Sequence, residues 1–136
     1  MKPFIQPNDY SCGVYALRYL LHLKGLPYRH VTQKALQTDK NGTQPTRIID
    51  FLYTQSIKTT AIHHLTAINL PALVLYEETK WHDGHYGVIV SATEKHIYVY
   101  DPGDGAINRH GRATFMRLWE SKKLEQWAIR WAVKLQ

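Results

Sequence analysis

A helical pattern begins with Ser11-Cys-Gly-Val-Tyr-Ala-Leu-Arg-Tyr-Leu-Leu-His-Leu-Lys-Gly25. Its apolar side chains recur at helical spacing, at Val14, Leu17, Leu20, Leu21 and Leu23. Ser11 is a residue type preferred at helix N-caps, and Gly25 followed by Leu26-Pro27 is a stop signal. The pattern therefore predicts a helix from about residue 12 to residue 24, with Cys12 in its first turn.

Helices dominate the first half of the chain and strands the second half. Two further helices are predicted over 31–37 and 46–55, the later one with four residues facing inward, Ile48, Ile49, Leu52 and Tyr53. Strand character begins near Lys58, and further strands are predicted over 70–76, 85–91, 96–101 and 127–133. Polar segments are expected over 77–84 and 102–105. A short helix is predicted over 114–121. The runs 85–91 and 96–101 flank a short turn and predict a β-hairpin. This order predicts an α+β domain, with helices packed on an antiparallel sheet.

Length and composition limit the class of protein. The 136 residues suit a single domain over 1–136, and the apolar and aromatic content excludes a disordered chain. No apolar run approaches the ~18 residues of a membrane span, and no secretory signal precedes Asn8. The lone Cys12 cannot form an intramolecular disulfide, so the expected location is the cytoplasm. The formal charge of +6 favours anionic partners, but the basic residues are scattered.

Cys12 is a candidate nucleophile because of its place in the first helix. A helix N-terminus presents unpaired N–H groups and partial positive charge, and both favour a thiolate over a thiol. Gly13 is expected to let another chain approach the sulfur closely. With these two features, the sequence favours a nucleophilic Cys12 and a buried, inert Cys12 equally.

The predicted hairpin supplies a base for such a nucleophile. If its turn lies near Thr93, paired residue numbers sum to about 187, which brings His85 beside Asp101. An aspartate next to a histidine fixes the ring tautomer and stabilises the imidazolium. Considered separately, His85 is also typical of a strand end and Asp101 of a turn. Gln6 could donate to a developing oxyanion together with the backbone N–H of Cys12, although an isolated glutamine in a polar segment is more often solvated.

Four segments carry a family resemblance: Gln6-Pro-Asn-Asp-Tyr-Ser-Cys12-Gly-Val-Tyr-Ala-Leu-Arg-Tyr-Leu-Leu, Leu70-Pro-Ala-Leu, His85-Tyr-Gly-Val-Ile-Val and Val99-Tyr-Asp101-Pro102. Gly42-Thr43 before a helix, and Phe115 with Trp119 in a late helix, add to it. Together they resemble the bacteriocin-processing peptidases, papain-like cysteine peptidases that cleave leader peptides after a double glycine, often as N-terminal domains of peptide-exporting ABC transporters.

The resemblance implies a papain-like fold that needs no cofactor and acts on a peptide or protein substrate. It implies Cys12 as nucleophile, His85 as base, Asp101 as the residue that orients His85, and Gln6 in the oxyanion hole. No transporter segment follows in this sequence, so we expect a stand-alone peptidase.

Other activities remain open at this point. The same triad could carry out acyl transfer or glutamine deamidation through the same thioester, or the fold could bind a peptide without catalysis. A zinc site among His63, His64, His82 and His85 is disfavoured because carboxylate partners are missing at matching spacing. Nucleic-acid binding is also disfavoured, since we expect the four tryptophans to fill the core: Trp81, Trp119, Trp127 and Trp131.

Overall fold

The computed structural model describes residues 3–79 and 83–136. These residues form three α-helices, α1 (Cys12–Leu23), α2 (Pro45–Thr54) and α3 (Arg112–Trp119). They also form six strands, β1 (Thr59–Ala61), β2 (Ala72–Glu77), β3 (Gly84–Ala92), β4 (His96–Asp101), β5 (Ala106–Gly111) and β6 (Ala132–Leu135). The strands make one antiparallel sheet in the order β1-β6-β2-β3-β4-β5. The predicted α+β class is confirmed.

Helix α1 confirms the first predicted helix and packs against β2 and β3. Its apolar side chains are buried except for Tyr19, which is partly buried, and Leu23, which is exposed at the last turn. Ser11 occupies the N-cap position, but its hydroxyl caps no backbone N–H and instead donates to the Asn8 carbonyl oxygen at 3.5 Å. The consequence for the site is that the first turn of α1, with Cys12, is held beside the strand that carries His85.

Side chains alternate between the two faces of the sheet and build a separate apolar core on each. Leu73 and Val88 face the core that contains α1 and α2. Val74 and Ile89, one residue further along the same strands, face the core that contains α3. The sheet is therefore covered on both sides.

The prediction of a helix over 31–37 is wrong. Residues 33–37 form turns, in which Leu36 N–H donates to Thr32 C=O and Gln37 takes a positive φ of 53°. The Gln37 N–H donates to Lys34 C=O and the Thr38 N–H to Gln33 C=O, so the hydrogen bonds differ in spacing and no regular helical ladder forms. Val31 and Leu36 are nevertheless buried, so the apolar pattern that suggested a helix reflects packing of an irregular segment.

The third predicted helix is confirmed as α2, with one of its inward residues placed wrongly. Ile48 and Leu52 are fully buried and Ile49 is partly buried, whereas Tyr53 is 80% exposed. Ile48 and Leu52 are four residues apart and share one face, while Tyr53 follows Leu52 by ~100° around the axis. Its ring therefore points into solvent.

The second half of the chain differs from the prediction mainly after the hairpin. Strand β5 was not predicted, because its sequence Ala-Ile-Asn-Arg-His-Gly at the sheet edge is mostly polar and exposed. The predicted strand over 127–133 is reduced to β6, which begins at Ala132. Residues Gln126–Ala128 form a 3-10 turn instead. Arg130 has a positive φ of 60°, which is incompatible with an extended strand at that position.

The tryptophans are not all core residues. Trp119 is fully buried in α3, Trp131 is partly buried, and Trp127 is 52% exposed, so the expectation of a core position is wrong for Trp127. Trp81 and His82, in the polar segment predicted over 77–84, lie outside the described residues. In the part of the chain that the structure describes, no helix is long and apolar enough to cross a membrane.

The contrast between Trp119 and Trp127 predicts a difference in stability. Trp119 fills the core and its indole N–H donates to the Trp131 carbonyl oxygen at 3.0 Å. We expect Trp119→Ala to lower the free energy of unfolding by about 3–5 kcal/mol, because it leaves a cavity and removes one of the two hydrogen bonds to the Trp131 carbonyl oxygen, the other coming from the Leu75 N–H at 3.1 Å. Trp127→Ala should cost less than about 1 kcal/mol, since half of its surface is already in water. Urea unfolding of both variants measures the difference, and equal losses would contradict the assigned packing.

Candidate active site

Cys12 is the first residue of α1, is 7% exposed and lines a surface groove. Gly13 follows it where a side chain would be crowded. A Cβ at this position would lie 3.1 Å from both Thr43 Cβ and Tyr86 Cδ2. The space beside Gly13 is thus filled by this chain's own residues, whereas the sequence suggested an approach by another chain. Gly13 lets the first turn of α1 pack tightly against the loop before α2 and against β3.

His85 and Asp101 come together across the hairpin, as predicted. His85 Nε2 and Asp101 Oδ1 are 2.7 Å apart. The register differs slightly from the predicted one: paired residue numbers sum to 188 at Ile89↔Val99 and to 189 beyond a bulge that precedes Ser91. The contact survives because diagonal neighbours across two strands remain within reach of a long side chain.

The Asp101 carboxylate is fixed by a second hydrogen bond. The backbone N–H of Gly103 donates to the same Oδ1 at 2.7 Å, in the turn that follows β4. Burial alone would raise the pKa of Asp101. The opposing effects are larger and lower that pKa from its usual 3.8: the hydrogen bond and charge of His85, the Gly103 N–H and the charge of His110. The carboxylate therefore stays ionised at neutral pH.

The imidazole of His85 is placed between Asp101 and Cys12. Burial lowers the pKa of His85, but hydrogen bonds to Asp101 and to Cys12, with the negative charges of both, outweigh burial and raise it from 6.5 to about 10. Since Nε2 faces Asp101, Nδ1 is the nitrogen left for the sulfur. A raised pKa means that the ring keeps its proton as the pH increases through neutrality. An imidazolium beside a thiol favours the thiolate.

Gln6 lies against the turn that follows Asp101. Its backbone N–H donates to the Pro102 carbonyl oxygen at 2.9 Å, and its side-chain Nε2 donates to the Asn8 carbonyl oxygen at 2.7 Å. Within the described residues, its Oε1 is a buried oxygen without a hydrogen-bond partner. A carboxamide nitrogen carries two hydrogens, so Nε2 keeps one for another acceptor.

The groove beside Cys12 has a volume of about 700 Å³. The segment 40–44 lines one part of it, and Tyr86 and the half-exposed Trp127 line others. Tyr86 is joined to the first of these parts, because its buried hydroxyl donates to the Thr43 carbonyl oxygen at 2.7 Å. Sequence reasoning missed all three as groove residues. Tyr86 could have been suspected as the neighbour of His85, but Trp127 reaches the groove only through the irregular path of the chain after α3.

No group of three His, Cys, Asp or Glu side chains within residues 3–79 and 83–136 is arranged to hold a metal ion. Of the histidines considered for a zinc site, His82 lies outside these ranges. His85 is engaged with Asp101.

A helix that starts at a cysteine, packed against a sheet that joins a histidine to an aspartate, is typical of the papain-like fold of cysteine peptidases. The sequence model of the Peptidase C39 family matches residues 1–127. The chain belongs to this family and is a cysteine peptidase.

Solved structures of low sequence identity share the fold. A double glycine motif protease from an AMS/PCAT transporter, in complex with the leader peptide, is 13% identical with a TM-score of 0.73, over 98% of this chain and 89% of that chain. The peptidase domain of Streptococcus ComA, a bi-functional ABC transporter involved in quorum sensing, is 18% identical with a TM-score of 0.70, over 96% and 94%. The corresponding domain of Streptococcus mutans ComA is 19% identical with a TM-score of 0.68, over 100% and 99%. Comparison with curated proteins gave no match.

Proposed function

We propose that this peptidase cleaves a peptide or protein substrate after a double glycine, using Cys12, His85 and Asp101 as a catalytic triad. The observation that carries the triad is the position of the His85 ring, with Asp101 Oδ1 2.7 Å from Nε2 and with Cys12 close enough to raise the pKa of the same imidazole. The double-glycine specificity rests on family membership and on the fold shared with a double glycine motif protease.

In the first half of the proposed reaction, the Cys12 thiolate attacks the carbonyl carbon of the scissile peptide bond. The negative charge moves to the carbonyl oxygen and then returns as the C–N bond breaks. The His85 imidazolium gives its proton to the leaving amine, and the acyl group remains on the sulfur as a thioester.

In the second half, neutral His85 accepts a proton from a water molecule that attacks the thioester. The C–S bond breaks, the acid product leaves, and the thiolate–imidazolium pair is restored. Asp101 remains a carboxylate throughout and orients the ring, and its charge offsets that of the imidazolium in both steps.

The developing oxyanion needs hydrogen-bond donors at the start of α1. As the first residue of this helix, Cys12 has a backbone N–H without an acceptor in the preceding turn. We assign the second donor to Gln6 Nε2, whose other hydrogen is engaged by the Asn8 carbonyl oxygen and so fixes the amide plane.

Substrate specificity can be tested with pairs of peptides that differ only before the scissile bond. One peptide carries Gly-Gly and its partner carries Gly-Val, and mass spectrometry identifies the products after incubation with wild type and with Cys12→Ala. We expect cleavage after the second glycine by wild type alone. Cleavage of both peptides at equal rates would overturn the double-glycine specificity, although it would leave the triad intact.

The same incubations distinguish the other thioester chemistries. A glutamine converted to glutamate without chain cleavage would indicate deamidation. Addition of glycine amide would reveal acyl transfer if the acyl product carried the amine instead of a free acid. Binding without any product would contradict the proposed activity.

The assignment of Gln6 predicts a kinetic effect without a loss of stability. Gln6→Ala removes a donor to the oxyanion, so we expect kcat to fall by about 100- to 1000-fold with KM little changed. Gln6→Glu should be at least as damaging, because a carboxylate repels the charge that forms on the carbonyl oxygen. The rate of Cys12 alkylation should stay near that of wild type in both variants. A wild-type kcat for Gln6→Ala would remove Gln6 from the site.

A further inference from the structure

Tyr76 is the direct cross-strand neighbour of His85. The two residues are paired in the β2–β3 register, and their side chains therefore leave the same face of the sheet. Their ring centroids are 5.7 Å apart and the ring planes are perpendicular, at 90°. This is the edge-to-face arrangement that aromatic pairs favour. The phenol ring thus forms one wall of the space in which the imidazole sits.

The Tyr76 ring is itself held in place from two other sides. Gly87 is so close that a Cβ there would lie 3.2 Å from Tyr76 Cε1, and Phe115 of α3 packs against the ring with centroids 5.2 Å apart. His110 of β5 lies further away, at 6.4 Å. Only 5% of Tyr76 is exposed. A ring so enclosed cannot swing away, and it offers the imidazole a fixed surface.

The charges around the ring indicate that its hydroxyl takes no part in proton transfer. The pKa of Tyr76 lies well above 10.0, first because of burial and then because of the negative charges of Asp101 and Cys12. The phenol therefore remains neutral wherever the peptidase works.

The hydrogen bond to Asp101 leaves one motion of the imidazole unrestrained. It fixes Nε2 but lets the ring turn about that contact, and such a turn would move Nδ1 away from the sulfur. A perpendicular ring at 5.7 Å restricts this turn. We propose that Tyr76 is a positioning residue of the peptidase, whose ring holds the His85 imidazole at the angle that directs one nitrogen to Asp101 and the other to Cys12. This inference rests on the triad proposed above.

The test compares Tyr76→Phe with Tyr76→Leu, which keep and remove the aromatic wall respectively. We expect Tyr76→Phe to retain kcat within about threefold, and Tyr76→Leu to lose about 10- to 100-fold in kcat with little change in KM, because small misplacements of a reacting group have effects of this size. The rate of Cys12 alkylation by iodoacetamide at pH 7 should fall with kcat in Tyr76→Leu and be preserved in Tyr76→Phe.

Val74→Ala is the matched control for lost core packing. Val74 lies on the same strand and the same face, is fully buried, and pairs with Gly87 instead of His85. It should lower stability without lowering kcat. Should Tyr76→Leu fail to fold, Tyr76→Met provides an unbranched side chain that fills the site without a planar wall.

Two results would overturn the inference. One is a wild-type kcat and alkylation rate in a folded Leu or Met variant. The other is a loss in Tyr76→Phe as large as that in Tyr76→Leu, which would assign the effect to the hydroxyl. Failure of the triad itself is recognised separately, because Cys12→Ala would then remain active.

Discussion

Cys12→Ala is expected to abolish cleavage, with a loss of about 10⁴- to 10⁶-fold in kcat, because no other group in the site can form the thioester. The thiol is small and lies at the start of α1, so the variant should remain folded. Cleavage rates measured with a Gly-Gly peptide, and the midpoint of thermal unfolding, check both parts.

Thiol labelling is a second test of the nucleophilic role, and it is unambiguous because Cys12 is the only cysteine in the chain. Iodoacetamide labelling of the folded protein near neutral pH therefore reports on this sulfur alone. We expect fast labelling, since an imidazolium beside the sulfur favours the thiolate. Retention of more than a tenth of wild-type activity by Cys12→Ala, or labelling that becomes fast only after unfolding, would contradict the nucleophilic role.

The second large effect is expected at Asp101. Asp101→Ala removes both the orientation and the charge behind His85, and we expect kcat to fall by about 10²- to 10⁴-fold. Asp104 is the matched control: its carboxylate accepts hydrogen bonds from the Ala106 N–H at 2.9 Å and from Asn108 Nδ2 at 3.2 Å, both at the start of β5. Asp104→Asn keeps an oxygen acceptor for Ala106 and should leave kcat near that of wild type. The reverse pattern would place the wrong aspartate behind His85.

Asp101→Asn separates charge from orientation. On the hairpin pattern alone, an amide at this position would turn its NH₂ group to the ring and select the wrong tautomer. In the structure, the Gly103 N–H donates to Oδ1 and holds an oxygen at that place, so the amide should keep its oxygen towards His85. We therefore expect Asp101→Asn to retain at least about tenfold more activity than Asp101→Ala.

The loss of charge in Asp101→Asn should be visible in the pH profile. The pKa of His85 is about 10, and the hydrogen bond and charge of Asp101 are among the causes that raise it against burial. When they are weakened, that pKa falls, and the imidazolium is lost at a lower pH as the solution becomes more alkaline. We expect the alkaline limb of kcat/KM near pH 10 in wild type and at lower pH in Asp101→Asn. An unchanged limb would show that Asp101 does not stabilise the imidazolium.

Patterns between residues close in sequence predicted the helix and the hairpin of the site, because interactions between such residues determine both elements. The helical spacing from Val14 to Leu21 and the glycine stop fix α1, because a single apolar face is enough to dock a helix. The alternating runs around Thr93 fix the hairpin, and with it the contact of His85 and Asp101. Both predictions tolerate errors of one or two residues, as the register around the bulge shows.

The sequence by itself thus determined the helix that carries Cys12, the hairpin that joins His85 to Asp101, and the α+β class. Only the tertiary structure decided which nitrogen of His85 is left for Cys12, that Trp127 lies in the groove and not in the core, that residues 33–37 remain turns, and that Tyr76 lies beside the imidazole. The physical reason is the range of the forces involved. Periodicity and turn chemistry act between residues a few positions apart, whereas burial and side-chain contact depend on which segments meet after the sheet is assembled.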